Sequence, residues 1–155
     1  MARNVGSCNY TFTNDQPRNP KSEPEYLELK PKGRFFYGDD GEENAIKSLD
    51  NYYYQPDTSN YSSLDSFVYD ENIFQITAFQ VTLAQKHDFK SKGVAALGAL
   101  GQRLGIKNLK IRVIMVVLGN ATINFVVNQD LIDTLNVEVY TLKVTLNQLY
   151  PCADS

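Results

Sequence analysis

Residues 111–118, IRVIMVVL, constrain the fold more than any other stretch of the chain. Seven of these eight residues are apolar, and the single charge is Arg112. A short apolar run with many branched side chains is typical of a strand that is covered on both faces of a sheet. It is far shorter than the roughly 20 apolar residues that span a bilayer, and no other run approaches that length. The stretch therefore predicts a central strand of a folded domain with no membrane segment.

Hydrophobic periodicity predicts further elements on both sides of this strand. The predicted helices span residues 42–53 and 91–104, and the predicted strands span residues 65–69, 73–84, 123–127 and 137–149. In the last strand apolar and polar residues alternate, which predicts one wet face and a position near an edge of the sheet. Together these elements predict an α/β (α+β) domain with a mixed sheet of four to five strands, flanked by helices.

The chain has 155 residues, of which 43% are hydrophobic and 21% are charged, values that suit one globular domain. We assign this domain to residues 34–150. Residues 1–33 are rich in Asn, Pro, Ser, Lys and Glu, which predicts an extended, partly disordered lead-in with a short strand or anchor at Tyr26, Leu27 and Leu29. The chain does not begin with a basic and apolar signal segment, which indicates an intracellular location.

The net charge of −3 hides a basic stretch. Residues 86–112 carry seven Lys or Arg and a single Asp, whereas residues 1–85 carry seven basic and 13 acidic residues. A concentration of positive charge on an acidic protein is typical of a surface that binds nucleic acid. It is equally typical of a solvated helix face, and both interpretations stay open.

The sequence Phe-Gln-x-Thr occurs twice in the predicted strand 73–84, once with Gln75 and Thr77 and once with Gln80 and Thr82. A buried amide is costly in an apolar sheet unless its donors and acceptor are satisfied. Because the two glutamines are five residues apart, they point to opposite faces of an unbulged strand. Only one of them can line a given site.

The order of helix, strand beginning at Asp65, hairpin, strand with two polar residues, and helix is the pattern of restriction-endonuclease-like nucleases. In that chemistry two acids hold Mg²⁺, and a lysine two residues after the second acid orients the attacking water. Residues two apart on a strand lie on the same face, so the second acid and the lysine point into the same site. Asp65 fits the first acid. Gln80 and Thr82 stand where the second acid and the lysine are expected.

These motifs resemble the C-terminal nuclease-like domain of Crinkler-RHS-type effectors and their retrotransposon-hot-spot relatives. The similar stretches are residues 54–56 (YQP), 64–67 (LDSF), 79–82 (FQVT), 87–94 and 138–144, and together they cover about residues 35–149. The resemblance implies a restriction-endonuclease-like fold, dependence on Mg²⁺ or Mn²⁺, DNA as the partner and action in the nucleus. It also implies a P-loop NTPase partner outside this sequence, which contains no phosphate-loop motif. A homodimer stays open.

The resemblance also implies the roles of particular residues. The catalytic candidates are Asp65, Gln80, Thr82, Lys86 and His87. The metal ligands are Asp65, Gln80 and Glu43, with Glu42 as the alternative acid on the same predicted helix. The DNA contacts are Lys86, His87, Lys90 and Lys92. We favour Gln80 and Thr82 over the alternative register of Gln75 and Thr77, since His87 and Lys90 follow Gln80 in the order typical of the family.

Each of these residues also has a structural interpretation. Asp65 can cap the start of a strand, and Glu43 can stabilise the first turn of a helix. Exposed lysines and a lone histidine are common on surfaces. Three functions therefore stay open. The first is a metal-dependent endodeoxyribonuclease, and the second is a catalytically degenerate module that keeps the nuclease fold and binds nucleic acid or a protein partner. The third is an interaction or dimerisation domain that works through its apolar strands.

Overall fold

The computed structural model describes residues 10–14, 25–27, 32–37, 46–57, 64–82, 91–119 and 129–144. In chain order its elements are the strands β1 (Tyr10–Asn14), β2 (Glu25–Leu27), β3 (Arg34–Tyr37), β4 (Tyr53–Pro56), β5 (Ser66–Asp70) and β6 (Gln75–Thr82), the helix α1 (Ser91–Arg103), the strand β7 (Lys110–Leu118), the helix α2 (Gln129–Leu135) and the strand β8 (Val137–Val144). Within these residues no helix is both long and apolar enough to span a membrane.

The strands form one mixed sheet in the order β2-β1-β8-β7-β6-β5-β4-β3. Six strands, from β8 to β3, make its main body, and β1 and β2 extend it beyond β8 through antiparallel pairing. β7 lies inside the sheet with parallel partners on both sides, as its apolar sequence predicts. The α/β class with a mixed sheet and helices is thus confirmed, whereas the predicted number of four to five strands is too low.

Both helices pack on the same side of the sheet, which we call the helix face. Their apolar side chains join those of Ile76, Ile111, Val113 and Val137 in the larger core cluster. The opposite side, which we call the second face, carries a smaller cluster around Ile114, with Tyr140, Leu142 and Val144. Because side chains alternate along a strand, β7 supplies residues to both clusters, and this explains its nearly continuous apolar sequence.

The glycines of α1 lie against leucine side chains. A methyl group at Gly98 would lie 2.9 Å from Cδ2 and 3.1 Å from Cδ1 of Leu135 in α2, and one at Gly101 would collide with Cδ2 of Leu109. The sequence predicts close approach of a strand or a strand-bound ligand at these glycines. The structure shows instead that the close neighbours of Gly98 and Gly101 are side chains of α2 and of the connection to β7.

The predicted helix 42–53 is wrong over its described residues. Residues 46–50 are not helical, and β4 begins at Tyr53 within the predicted helix 42–53. The apolar spacing of Ile46 and Leu49 reflects burial against the core without a helix. Tyr53 belongs to the second face, where its hydroxyl lies 2.6 Å from Oγ of Ser66. Aromatic residues favour a pleated strand when neighbouring strands are present to pack against.

The position of β8 also differs from the prediction. β8 is not an edge strand, because β1 pairs with it through Thr13 and Asn14. Both β1 and β2 lie within the stretch expected to be a lead-in. The helix α2 is absent from the prediction, and the predicted strand 123–127 and residues 145–149 lie outside the described residues.

Candidate functional site at the carboxyl edge of the parallel strands

The strands β6, β7 and β8 run parallel, and their carboxyl ends lie together at Thr82, Leu118 and Val144. We call this margin of the sheet, where the parallel strands end, the carboxyl edge. The opposite side, where they begin, is the amino edge. Because α1 connects the end of β6 to the start of β7, the helix begins towards the carboxyl edge. Ligands of open α/β sheets commonly bind beyond the carboxyl ends of parallel strands. The candidate residues of β6 therefore lie where such a site is expected.

Asp65 joins the start of β5 to the end of β6. Its backbone N–H donates to the carbonyl oxygen of Phe79 at 2.9 Å, and its Oδ2 accepts a hydrogen bond from the N–H of Val81 at 2.5 Å. Asp65 is thus bonded to the residues on either side of Gln80. In this position the exposed carboxylate replaces a backbone carbonyl as the acceptor for Val81, which is the capping role that the sequence leaves open.

Gln80 and Thr82 lie on the helix face, and both are buried, at 4% and 6% exposure. The face follows from register: β6 pairs with β7 without a bulge from Gln75 to Thr82, and Ile76 and Ala78, which belong to the larger core, have the same parity as Gln80. The structure therefore brings Asp65, Gln80 and Thr82 together at one corner of the sheet.

Gln75 and Thr77 lie on the second face, as their odd separation from Gln80 predicts. Both side chains are buried, and Nε2 of Gln75 donates to Oγ1 of Thr77 at 3.2 Å. This bond satisfies part of the amide's hydrogen-bonding capacity within the strand itself. The alternative register thus leads to a different face and a different set of neighbours.

Those neighbours form a charged cluster on the second face that the sequence reasoning missed. Nη2 of Arg112 lies 3.5 Å from Oε2 of Glu138, and its guanidinium carbon lies 4.8 Å from the centre of the Tyr140 ring. The Tyr140 hydroxyl donates to Oε2 of Glu138 at 2.9 Å. Arg112 is directly opposite Thr77 in register. The lone charge in the apolar strand was the available signal, since a buried charge requires a partner on a neighbouring strand.

Several sequence-predicted residues fall outside the described part of the chain: Glu42, Glu43, Lys86, His87 and Lys90. Lys92 is described, and it is exposed in the first turn of α1. The described residues contain no group of three or more His, Cys, Asp or Glu side chains that could hold a metal ion.

The donor set at the corner can be compared with the needs of Mg²⁺. This ion takes oxygen ligands and commonly binds through one or two carboxylates, with water and substrate phosphates in the remaining positions. Asp65 offers one carboxylate and Gln80 one amide oxygen, and both sit in the same corner. The donor atoms of the pair are of the oxygen type that Mg²⁺ and Mn²⁺ take, although one Asp65 oxygen already accepts the Val81 N–H and Gln80 is buried with an interaction of its own.

Comparison of the chain with protein-family models finds no match, and comparisons with curated proteins and with solved structures find none either.

Proposed function

We propose that this chain is a restriction-endonuclease-like domain of the Crinkler-RHS type that acts on DNA at the carboxyl edge of its parallel strands. One observation carries the proposal: Asp65 is hydrogen bonded to Phe79 and Val81, on either side of Gln80. This supports the proposal, because the two bonds hold Asp65 beside the backbone of Gln80 at the edge where α/β proteins commonly hold their ligands.

In this proposal Asp65 and Gln80 hold Mg²⁺ or Mn²⁺, and Glu43 completes the set. The chemistry that such an ion supplies is stabilisation of charge on the phosphodiester and an activated water. Thr82 lies two residues after Gln80 on the same face and lines the same corner. Lys92 is exposed at the start of α1 and contacts a DNA phosphate, together with Lys86, His87 and Lys90. His87 or Lys86 accepts or orients a proton of the attacking water.

A second function, binding without cleavage, is favoured by the state of the Asp65 carboxylate. One of its oxygens already accepts the N–H of Val81, and an amide is a weaker ligand than a carboxylate for a hard cation. A domain that kept this corner as a structural cap would keep the fold and a cationic surface without hydrolysis. In both cases the resemblance supports a nuclear location and an NTPase partner.

Nicking of supercoiled plasmid in Mg²⁺ or Mn²⁺ tests the first function. Asp65→Asn is the informative variant, because its amide oxygen can still accept the Val81 hydrogen bond while the metal-binding charge is lost. Asp70→Asn is the matched control: Asp70 ends the same strand at the amino edge, where its Oδ1 accepts the N–H of Asn72 at 2.9 Å. We expect nicking by the wild type and by Asp70→Asn, and none by Asp65→Asn.

Gel shifts with duplex DNA across a salt series separate the remaining outcomes, because phosphate contacts make affinity fall steeply with salt. Salt-sensitive binding without nicking would establish the second function. Equal nicking by all three proteins would overturn the role of Asp65 as a metal ligand. A wild-type chain that neither nicks nor binds DNA would overturn both functions.

A further inference from the structure

The helix face of the sheet changes from apolar to polar at the same level on two strands, β6 and β8. Towards the amino edge the helix-face residues of both strands are apolar and belong to the larger core cluster: Ile76, Ala78, Val137 and Val139. Towards the carboxyl edge the helix-face residues of the same strands are polar: Gln80, Thr82, Thr141 and Lys143. The polar part of this face includes the two β6 residues of the proposed site.

The polar residues of β6 and β8 are held at matching positions by β7, which lies between them. Thr82 and Lys143 both pair with Val117, and Gln80 and Thr141 both pair with the residue two positions before Val117. We call each such set of paired residues a row. Since neighbouring strands lie about 4.8 Å apart, the backbones of Thr82 and Lys143 are about 10 Å apart. The four polar residues therefore occupy two consecutive rows on one face of the sheet.

Lys143 brings a positive charge to this surface. It is exposed, although β8 lies inside the sheet between β7 and β1. The other members of its row, Thr82 and Val117, are buried. The ammonium of Lys143 forms no ion pair with another residue that the structure describes. The helix face is thus open to solvent at the carboxyl end of β8, and a cation stands there.

The position of Lys143 distinguishes it from an ordinary surface lysine. An exposed lysine by itself indicates only a solvated surface. Lys143 lies in the same row and on the same face as Thr82, which stands where the nuclease pattern has its lysine. A positive charge from β8 therefore reaches the surface from which the expected lysine of β6 is missing.

We propose that Lys143 binds a backbone phosphate of the DNA that flanks the phosphate at Asp65 and Gln80. The DNA strand then crosses the carboxyl ends of β6, β7 and β8. This inference rests on the proposed function, because it names a further contact of the same substrate at the same edge. A lysine is a compact charge on a flexible stem, which suits a phosphate contact that carries no sequence information. At about 10 Å from Thr82, Lys143 positions the DNA and does not orient the attacking water.

Fluorescence anisotropy with a labelled DNA duplex, measured in EDTA across a salt series, tests this contact without cleavage. Lys143→Gln keeps a polar side chain and removes the charge. One lost phosphate contact lowers the slope of log affinity against log salt by about 0.9, so the affinity should fall about fivefold to tenfold at about 0.1 M salt. Lys143→Arg keeps the charge and should keep both the slope and the affinity. Because Lys143 is exposed, we expect both variants to keep the wild-type urea midpoint.

Lys110→Gln is the matched control. Lys110 is also exposed, but it begins β7 at the amino edge, on the second face. Its substitution removes the same charge from the opposite end of the sheet, so we expect the wild-type slope.

The outcomes separate this inference from the proposed function. If the wild type binds DNA with a salt-dependent affinity and Lys143→Gln has the same slope, the Lys143 contact is wrong and the proposed function stands. An equal loss of slope in Lys143→Gln and Lys110→Gln would overturn the contact as well, because it would reflect net charge alone. A loss that Lys143→Arg shares would contradict a contact made through charge. A wild type that does not bind DNA would overturn the proposed function and this inference together.

Discussion

The packing of α1 against α2 predicts an unusual response to Gly98→Ala. In an exposed helix this substitution stabilises by about 0.8–1.0 kcal/mol, because glycine loses more conformational entropy than alanine. Here the added methyl group would meet both terminal carbons of Leu135, at 2.9 and 3.1 Å. Both carbons are at the end of the leucine side chain, so the methyl group fits only if Leu135 moves by a few tenths of an ångström. Overpacking of this kind costs about 1–3 kcal/mol. We therefore expect Gly98→Ala to change stability by between about zero and 2 kcal/mol in the destabilising direction.

The sign should invert when Leu135 is shortened. In a Leu135→Ala background the obstacle is gone, and Gly98→Ala should stabilise the protein by about 1 kcal/mol. The coupling energy of the two substitutions is then about 1–3 kcal/mol, measured by urea unfolding of the four proteins in the cycle. Ala99→Gly, on the exposed side of α1, calibrates the propensity and should cost about 1 kcal/mol. Stabilisation by Gly98→Ala in the wild type, or a coupling near zero, would refute the packing of the two helices described above.

Three further predictions concern single side chains. Thr141 is 4% exposed and its Oγ1 has no hydrogen-bond partner among the described residues, so Thr141→Val should stabilise the protein by about 1 kcal/mol in thermal unfolding. Thr77→Val should destabilise it by about as much, because it removes the acceptor of the buried Gln75 amide. Asp65→Ala should cost about 1 kcal/mol in urea unfolding and Asp65→Asn clearly less, because only the first leaves the Val81 N–H without its acceptor; equal losses would contradict the capping role. Burial raises the pKa of the Tyr54 hydroxyl above its ordinary value of 10.0, so the folded state keeps a proton that the unfolded state releases. The resulting stability is complete below that value and declines as pH rises above it, and Tyr54→Phe should make the decline in urea midpoint shallower.

The elements that the sequence predicts well are those with a strong local pattern. The hairpin of β5 and β6, the helix α1 and the strand β7 begin and end within two residues of their predicted bounds. In each of them the apolar spacing agrees with the face that is buried, so local preference and tertiary packing favour the same structure. The periodicity of α1 is reinforced by Gly105, whose φ of +71° follows the end of the helix.

The elements that the sequence predicts poorly depend on partners far away in the chain. Residues 46–53 have helical spacing, but β4 exists because it pairs with β3 on one side and β5 on the other. The helix α2 has only seven residues, too few for a periodic signal, and it is held by contacts with α1 and β8. β8 looks like an edge strand because its alternation is clear, yet β1 arrives from the other end of the chain to cover it.

The candidate site shows the same limit in a sharper form. Parity alone predicts that Gln75 and Gln80 occupy opposite faces, and the unbulged register agrees. Parity does not say what surrounds each Gln-x-Thr pair, because those neighbours come from elsewhere in the chain. Asp65, just before β5, lies beside the pair of Gln80 and Thr82, and Arg112 on β7 lies opposite Thr77 on the second face. The sequence therefore supplies the two alternatives, and tertiary structure gives each a distinct chemistry.

The two alternatives, Gln80 with Thr82 and Gln75 with Thr77, can be distinguished by substituting the charged residue near each pair. Asp65 supplies the carboxylate at the carboxyl edge, so loss of this carboxylate should affect metal-dependent chemistry and leave the second face intact. On the second face, the Arg112 guanidinium is stacked on Tyr140 and paired with Glu138, so substitution of Arg112 leaves a carboxylate without its cation in a half-buried setting. A variant there should lower stability first, and activity only as a consequence of unfolding. If Arg112→Met instead abolished DNA binding in a protein of unchanged stability, the functional register would be that of Gln75 and Thr77, and the carboxyl edge would keep Asp65 only as a cap.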